Sequence, residues 1–442
     1  MRDERPTRMQ RRRLAQRRAR GAMRASSLAV PLVLSALAVN SGGEASPTPA
    51  SDPSPSTSPA AETAPDAAGF DVPQPGLALG LTEPNPWLIW SEQARPEAPE
   101  PFGQWRERLR SMRPAVYRLV VQWRQVQPTP GALALDAPQS GCLRDRQPCA
   151  GWAGVREQLA ALASRQREDD WRGMIVIWDT PDWAAAPALD CEKPGTEPRS
   201  RPPSRSALDD YRRLVRALAG LAAEVGAEVT YWSAWNEPNH PYFLANQCSD
   251  SDSARAGASY LDLVRALDAA LAPFPRTERV LGELAGIDRS GPNKTGVREF
   301  VAEMPRDVVC GSRIWAQHQY AGGADAVGLV LSVLSEFDCP REHRVWVTET
   351  GAGSPSFSLS AGAPLHAGRR ACVALDRALS RWWRDPRVDV AIQYTFRQDD
   401  LFRVGLVSTD LSRALPALGA WTAWSERPGP GTPPPEAPCP RG

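Results

Sequence analysis

The chain has 442 residues, 42% hydrophobic and 23% charged, proportions of an ordinary globular protein with room for one large domain. Its net charge of +1 averages two unlike parts: residues 1–24 carry ten arginines against Asp3 and Glu4, and the remainder is acidic. An acidic body lacks the electrostatic footprint of a nucleic-acid binder, so no nucleic-acid partner is expected.

The arginine-rich start leads into an apolar run, LAVPLVLSALAV at 28–39, and then small residues as far as Ala45. A basic segment, a short apolar core and a small-residue exit describe a secretory signal, and this run is short for a bilayer crossing. Residues 1–45 are therefore read as a signal, with an uncleaved membrane anchor as the alternative. Residues 46–68 are almost wholly Ser, Thr, Pro, Ala and acids, which cannot bury a core and make a linker. Residues 69–427 read as one catalytic-sized domain and 428–442 as a Pro-rich tail. The expectation is a secreted, extracellular protein, with peripheral association to a membrane or cell wall through the N-terminal segment as a further option.

Strand-like stretches follow at 77–81, 115–123, 173–179, 229–235, 279–286, 313–320, 344–350 and 390–396. Helix-like stretches alternate with them at 101–112, 152–165, 206–225, 254–272, 324–337, 367–384 and 413–425. In the clearest of these, Leu208, Tyr211, Val215, Leu218, Ala222 and Val225 recur at three- and four-residue steps. Ser206 and Asp209 suggest a capping box before it, and Gly226 a stop after it. Eight strands alternating with helices is the count of a (β/α)₈ TIM barrel, in the α/β class. No GxGxxG follows an early strand, which leaves a nucleotide-binding open sheet without support.

In such a barrel, working groups project from the C-terminal ends of strands. YWSAWNEPNH at 231–240 breaks from a strand into turn chemistry around Glu237, and Pro238 biases that glutamate towards an extended backbone. VWVTETG places Glu349 at the end of the seventh strand, on the same rim. Two carboxyl groups facing across a pocket suit glycosidic bond cleavage: one gives a proton to the leaving oxygen, the other meets positive charge growing at the anomeric carbon.

WNEPN at 235–239 and TETG at 348–351 resemble the signature segments of clan A glycoside hydrolases, in the style of families 39 and 5. The resemblance spans most of residues 75–426. It implies a retaining O-glycosyl hydrolase acting on a β-linked oligo- or polysaccharide, with Glu237 as acid/base and Glu349 as nucleophile. It further implies Asn236 as the ligand of a sugar 2-hydroxyl, Arg118 near the nucleophile, and an HxY pair, His318 and Tyr320, on strand 6. A cation and a phenol donor beside Glu349 would keep it ionised, while enclosure and the charge of Glu349 would help Glu237 hold a proton. A catalytically silent carbohydrate-binding barrel and a transglycosylase using the same glutamates are the competing readings.

Sixteen tryptophans offer flat faces for sugar rings. Trp123 and Trp183, with Trp87 and Trp178, fall at or just past strand ends. Clan members usually carry a tryptophan at strand 8; here IQYTFRQDD has none, so Phe396, or failing that Tyr394, is expected to replace it. Asp399 and Asp400 would bind hydroxyls or simply be solvated. His240 would reach the pocket, cap a helix or lie on the surface, and His343 would lie on the opposite rim. The eight cysteines suggest disulfides Cys142–Cys149, Cys191–Cys248, Cys310–Cys339 and Cys372–Cys439. No CxxC occurs and the four histidines are scattered, so no metal is expected, and no organic cofactor is needed.

Overall fold

The computed structural model describes residues 76–139, 150–190, 192–248, 256–291, 293–321, 323–352, 365–399, 403–426 and 439. The signal-like segment, the linker, Cys142, Cys149, Cys191 and Asp400 lie outside the described residues. Eight strands run parallel: β1 (Ala78–Thr82), β2 (Val116–Gln122), β3 (Arg172–Trp178), β4 (Val229–Ser233), β5 (Glu278–Leu284), β6 (Ile314–His318), β7 (Arg344–Thr350) and β8 (Val388–Tyr394). Each pairs with the next and β8 with β1, closing a (β/α)₈ barrel. Every expected strand is present to within two residues.

Flanking helices are α1 (Phe102–Ser111), α2 (Gly154–Asp169), α3 (Leu208–Glu224), α4 (Ala256–Leu271), α5 (Val297–Ala302), α6 (Ala326–Ser335), α7 (Leu365–Arg384) and α8 (Pro416–Ser425). Helix α5 was not expected. It has six residues and is separated by Pro305 from a further short helix, Arg306–Cys310, so neither piece is long enough to display a period. In α3 the period holds: Tyr211, Leu214, Val215, Leu218 and Leu221 are buried on one face, and Gly226 at φ +74° ends it. Fully burying side chains of this size contributes about 1.5–3 kcal/mol each. Its start departs from the capping box. A 3₁₀ turn at Arg205–Ala207 precedes it, Ala207 occupies the cap, and Asp209 pairs with Arg212 instead.

Two apolar layers result from the strand alternation. Outward residues such as Val121, Ile177, Trp232 and Val345 pack against the helices. Inward residues Val116, Met174, Tyr231, Val280, Ile314, Trp346 and Val390 form a plug inside the barrel, with Tyr231 and Trp346 edge to face at 4.4 Å. Above the plug, strict alternation would turn residue 283 of β5 and residue 349 of β7 outward, since Leu281 and Val347 pack outside. Register shifts between Gly282 and Leu284, and between Val347 and Thr350, reverse the phase. A bulge of this kind re-aims a side chain, and here both re-aimed residues are glutamates.

Disulfides join Cys310 to Cys339 and Cys372 to Cys439, with Cα separations of 5.3 and 5.9 Å. Cys248 is also oxidised. His343, at the start of β7, lies far from the glutamates' rim, bonded to the Ser312 carbonyl at 3.1 Å and close to Cys339.

Candidate active site

Arg118 stands two residues above Val116 on β2 and has no solvent exposure. Its guanidinium donates from Nη1 to Glu349 Oε1 at 3.0 Å and from Nη2 to Asn236 Oδ1 at 2.7 Å. The same Nη2 also bonds Glu283 Oε2. Tyr320 donates its hydroxyl to the other Glu349 oxygen at 2.7 Å. His318 lies 2.8 Å from Glu237 Oε1 through Nδ1, and 3.0 Å from Glu283 Oε2 through Nε2. Six of the expected site residues, Arg118, Asn236, Glu237, His318, Tyr320 and Glu349, thus form one continuous network contributed by β2, β6, β7 and the segments after β4 and β6. Facing oxygens of Glu237 and Glu349 and a ring nitrogen of His318 all lie within 4.8 Å of one another.

The backbone around Glu237 is not extended. Its φ is +41°, with its N–H donated to the Glu283 carbonyl at 2.9 Å and its own carbonyl accepting from the His240 N–H at 2.9 Å. Pro238 disfavours the right-handed helical region but does not choose among the rest. The two hydrogen bonds make that choice. Asp179 at the end of β3 and Glu283 in β5 also have positive φ, +71° and +54°. Such backbone in non-glycine residues costs about 1–3 kcal/mol each and persists where the surroundings enforce it.

Glu283 is the member that strand-end reasoning did not find. Its signal was present in VLGEL: a glycine inside a strand marks a bulge or a close approach. Gly282 sits at φ +97°, and a Cβ there would come within 2.6 Å of the Ala316 carbonyl oxygen. Only glycine fits, and the turn it makes points Glu283 inward.

Electrostatics follow from this packing. Burial would strip His318 of its proton, but Glu349, Glu237 and Glu283 outweigh it and push the imidazole up to about 10. Burial would raise Glu283, yet Arg118 and His318 hold it down at about 2. For Glu237 burial again raises, but the hydrogen bond and charge of His318 win, with lesser help from His240 and Arg118, and the carboxyl lies below its ordinary value. This direction runs against the expectation that enclosure and the charge of Glu349 favour a proton on Glu237. Arg118 is held firmly charged: Glu283 and Glu349 overcome the cost of burial.

These shifts give a stability profile. His318, raised from 6.5 to about 10, contributes stability that is complete below about pH 6.5 and lost as pH rises through 10. Glu283, lowered from 4.5 to about 2, contributes stability present above about pH 4.5 and lost as pH falls through 2. Urea midpoints measured across pH should show both slopes, and His318→Gln should abolish the alkaline one.

Three aromatic expectations need correction. Phe396 has no exposure and packs edge-on to Trp105 at 6.3 Å in the layer between barrel and helices. Tyr394, partly exposed at the end of β8, is the aromatic that faces Arg118 and Tyr320 electrostatically. Two residues along a strand and its exit were enough to carry Phe396 out of the pocket. Trp123 is fully buried, donating to Gln127 Oε1 at 2.7 Å and wedged against Tyr211 and Trp183. Trp178 is also buried, against Phe243. Trp183 stays partly exposed, its Nε1 donating to the Gln127 carbonyl, and Trp87 is half-buried under Arg95 and Arg106. Tyr242, missed in NHPYF, is 44% exposed, with Arg199 over its ring and donating to its hydroxyl at 2.8 Å.

His240 accepts from the Tyr242 N–H through Nδ1 at 3.2 Å, within the turn that follows Glu237. Burial lowers its affinity for a proton; Glu237 opposes this, while Lys193 and Lys294, the only lysines of the chain, reinforce it from neighbouring loops. Asp399 is buried, not solvated. Glu237, His318 and Glu349 have the donor types of a divalent-cation site. Each ring nitrogen of His318 already has a carboxylate partner.

No protein-family model and no curated sequence matches the chain. Among solved structures it is similar to a conserved exported protein from Bacteroides fragilis, with 13% identity over 80% of this chain and 79% of that one and a TM-score of 0.50. It is also similar to a GH39 β-xylosidase from Caulobacter crescentus, with 17% identity over 78% and 70% of the two chains and a TM-score of 0.50. At these identities the likeness is one of fold: the chain shares the (β/α)₈ barrel seen in glycoside hydrolases.

Proposed function

We propose that this protein is a retaining β-glycoside hydrolase of the extracellular space, with Glu349 as nucleophile and Glu237 as acid/base. The observation that carries the reading is the approach of the Glu237 and Glu349 oxygens to within 4.8 Å on the C-terminal rim. Retaining enzymes hold their carboxyl groups about 5–5.5 Å apart, inverting ones about 6.5–9.5 Å, so that water fits between. Glu349 is oriented by Arg118 and Tyr320, each on a different oxygen, as an attacking carboxylate requires. Asn236 gives its oxygen to Arg118, which directs its amide donors elsewhere, towards a sugar hydroxyl. Catalysis then runs in two displacements: Glu349 bonds the anomeric carbon as the leaving oxygen is protonated through Glu237, and water activated by Glu237 releases the sugar.

The substrate is a β-linked oligo- or polysaccharide. Partly exposed Trp183, Tyr394 and Tyr242 supply faces for its rings. Extracellular placement is supported by the disulfides and by the exported neighbour, and no described helix is long and apolar enough to cross a membrane. Incubation with β-glucans, xylans, mannans, galactans and exopolysaccharides, read by product mass, identifies the glycan, and an added acceptor sugar reveals any transglycosylation.

Glu237→Ala tests the division of labour. Loss of a positioned proton donor costs roughly 10²–10⁴-fold, and only where the leaving group needs the proton. Natural glycans should therefore lose that much turnover, while glycosylation by a dinitrophenyl glycoside is nearly spared and added azide yields a β-glycosyl azide. Equal loss on both substrates would remove Glu237 from the proton-donor role.

A further inference from the structure

The proposed reaction employs Glu237 and Glu349 and leaves a third carboxylate, Glu283, without a task. Glu283 has no solvent exposure and so cannot touch substrate. Yet the chain brings it inward by a bulge, a glycine at φ +97° and its own φ of +54°. That arrangement sets one oxygen, Oε2, against both Arg118 and His318.

His318 therefore has a carboxylate on each ring nitrogen, Glu283 on Nε2 at 3.0 Å and Glu237 on Nδ1 at 2.8 Å. A neutral imidazole carries one N–H and would turn a lone pair towards one of them; between two ionised carboxylates only the imidazolium satisfies both. The other charged or titratable groups near the ring are Glu349 from β7, at 3.5 Å, Arg118 from β2, Tyr320 two residues past β6, Tyr394 from β8, and His240 beyond Glu237. Three carboxylates against one guanidinium favour the charged ring.

We propose that Glu283 is a positioning residue that holds His318 as an imidazolium aimed at Glu237, so that the proton delivered through Glu237 is drawn from His318. This rests on the glycosidase reading. In the first step Glu349 forms its bond to the anomeric carbon and the glycosidic C–O bond breaks. The departing oxygen takes a proton from Glu237, which receives the Nδ1 proton of His318. The ring becomes neutral, with Nε2–H still donated to Glu283. In the second step water bonds the anomeric carbon as the ester to Glu349 breaks, and its proton returns through Glu237 to His318. Protons and charge balance over the cycle.

Four histidines make His318 readable by NMR of the full chain labelled at histidine, with His318→Gln as the blank. The wild-type ring should remain doubly protonated through neutral pH. Glu283→Gln should lower its titration midpoint by at least about one pH unit, since a neutral amide replaces a charge in contact with the ring. The alkaline limb of kcat/KM should move the same way on natural glycans and less on dinitrophenyl glycosides. Glu283→Asp, which keeps the charge, should retain a high midpoint. An unchanged midpoint in folded Glu283→Gln overturns the proposal. Should that variant not fold, a wild-type His318 found singly protonated at pH 7 overturns it equally. A high wild-type midpoint with no turnover of any β-glycoside would instead sink the hydrolase reading and leave the Glu283–His318 coupling standing.

Discussion

Glu349→Ala is expected to reduce turnover of the natural β-glycan by roughly 10⁴-fold or more, because removing a nucleophile removes the covalent route itself. Stability should change little, since the variant relieves Arg118 of one of its two carboxylates and leaves Glu283 in place. Azide entering the vacated space should attack from the face Glu349 occupied and yield an α-glycosyl azide, opposite in configuration to the product expected with Glu237→Ala. The paired stereochemical outcomes test the assignment more stringently than either loss of rate. Unchanged turnover, or the same azide anomer from both variants, would reverse or discard the roles.

Arg118→Met carries the largest expected effect on folding. The guanidinium is fully buried and bonds Glu283, Glu349 and Asn236 together. Taking away one member of a buried ion pair strands the other, at a cost of about 3–5 kcal/mol, and here two carboxylates are left facing each other across His318. Urea unfolding should show that loss at pH 6–7. The double variant Arg118→Met/Glu283→Gln should recover part of it, because the residues are in direct contact and their effects do not add. A loss below about 1 kcal/mol would mean that the pair does not form as described.

Much of this was legible along the chain. Strands of β-branched and aromatic residues separated by three- and four-residue apolar periods specify alternating β and α elements, and their number specifies closure. Glu237 and Glu349 stood out because each lies at or just past the C-terminal end of a strand, within the motifs WNEPN and TETG. The disulfides Cys310–Cys339 and Cys372–Cys439 followed from the order of elements around the barrel. The failures share a cause. Phe396 and Trp123 were placed by proximity to strand ends, but whether an aromatic at a rim faces pocket or helix depends on a rotation of the backbone that a one-residue shift reverses.

Consecutive residues carry the barrel, the rim and the two glutamates upon it, because local periodicity and short motifs are read along the chain. What surrounds those acids is set only by the folded chain. Gly282 turns Glu283 inward, Glu283 and Arg118 come together from positions 165 residues apart, and His318 is fixed between Glu283 and Glu237. Coulomb interactions act over distances in space and strengthen where water is excluded. The protonation state of Glu237 therefore depends on neighbours that no stretch of the chain displays together.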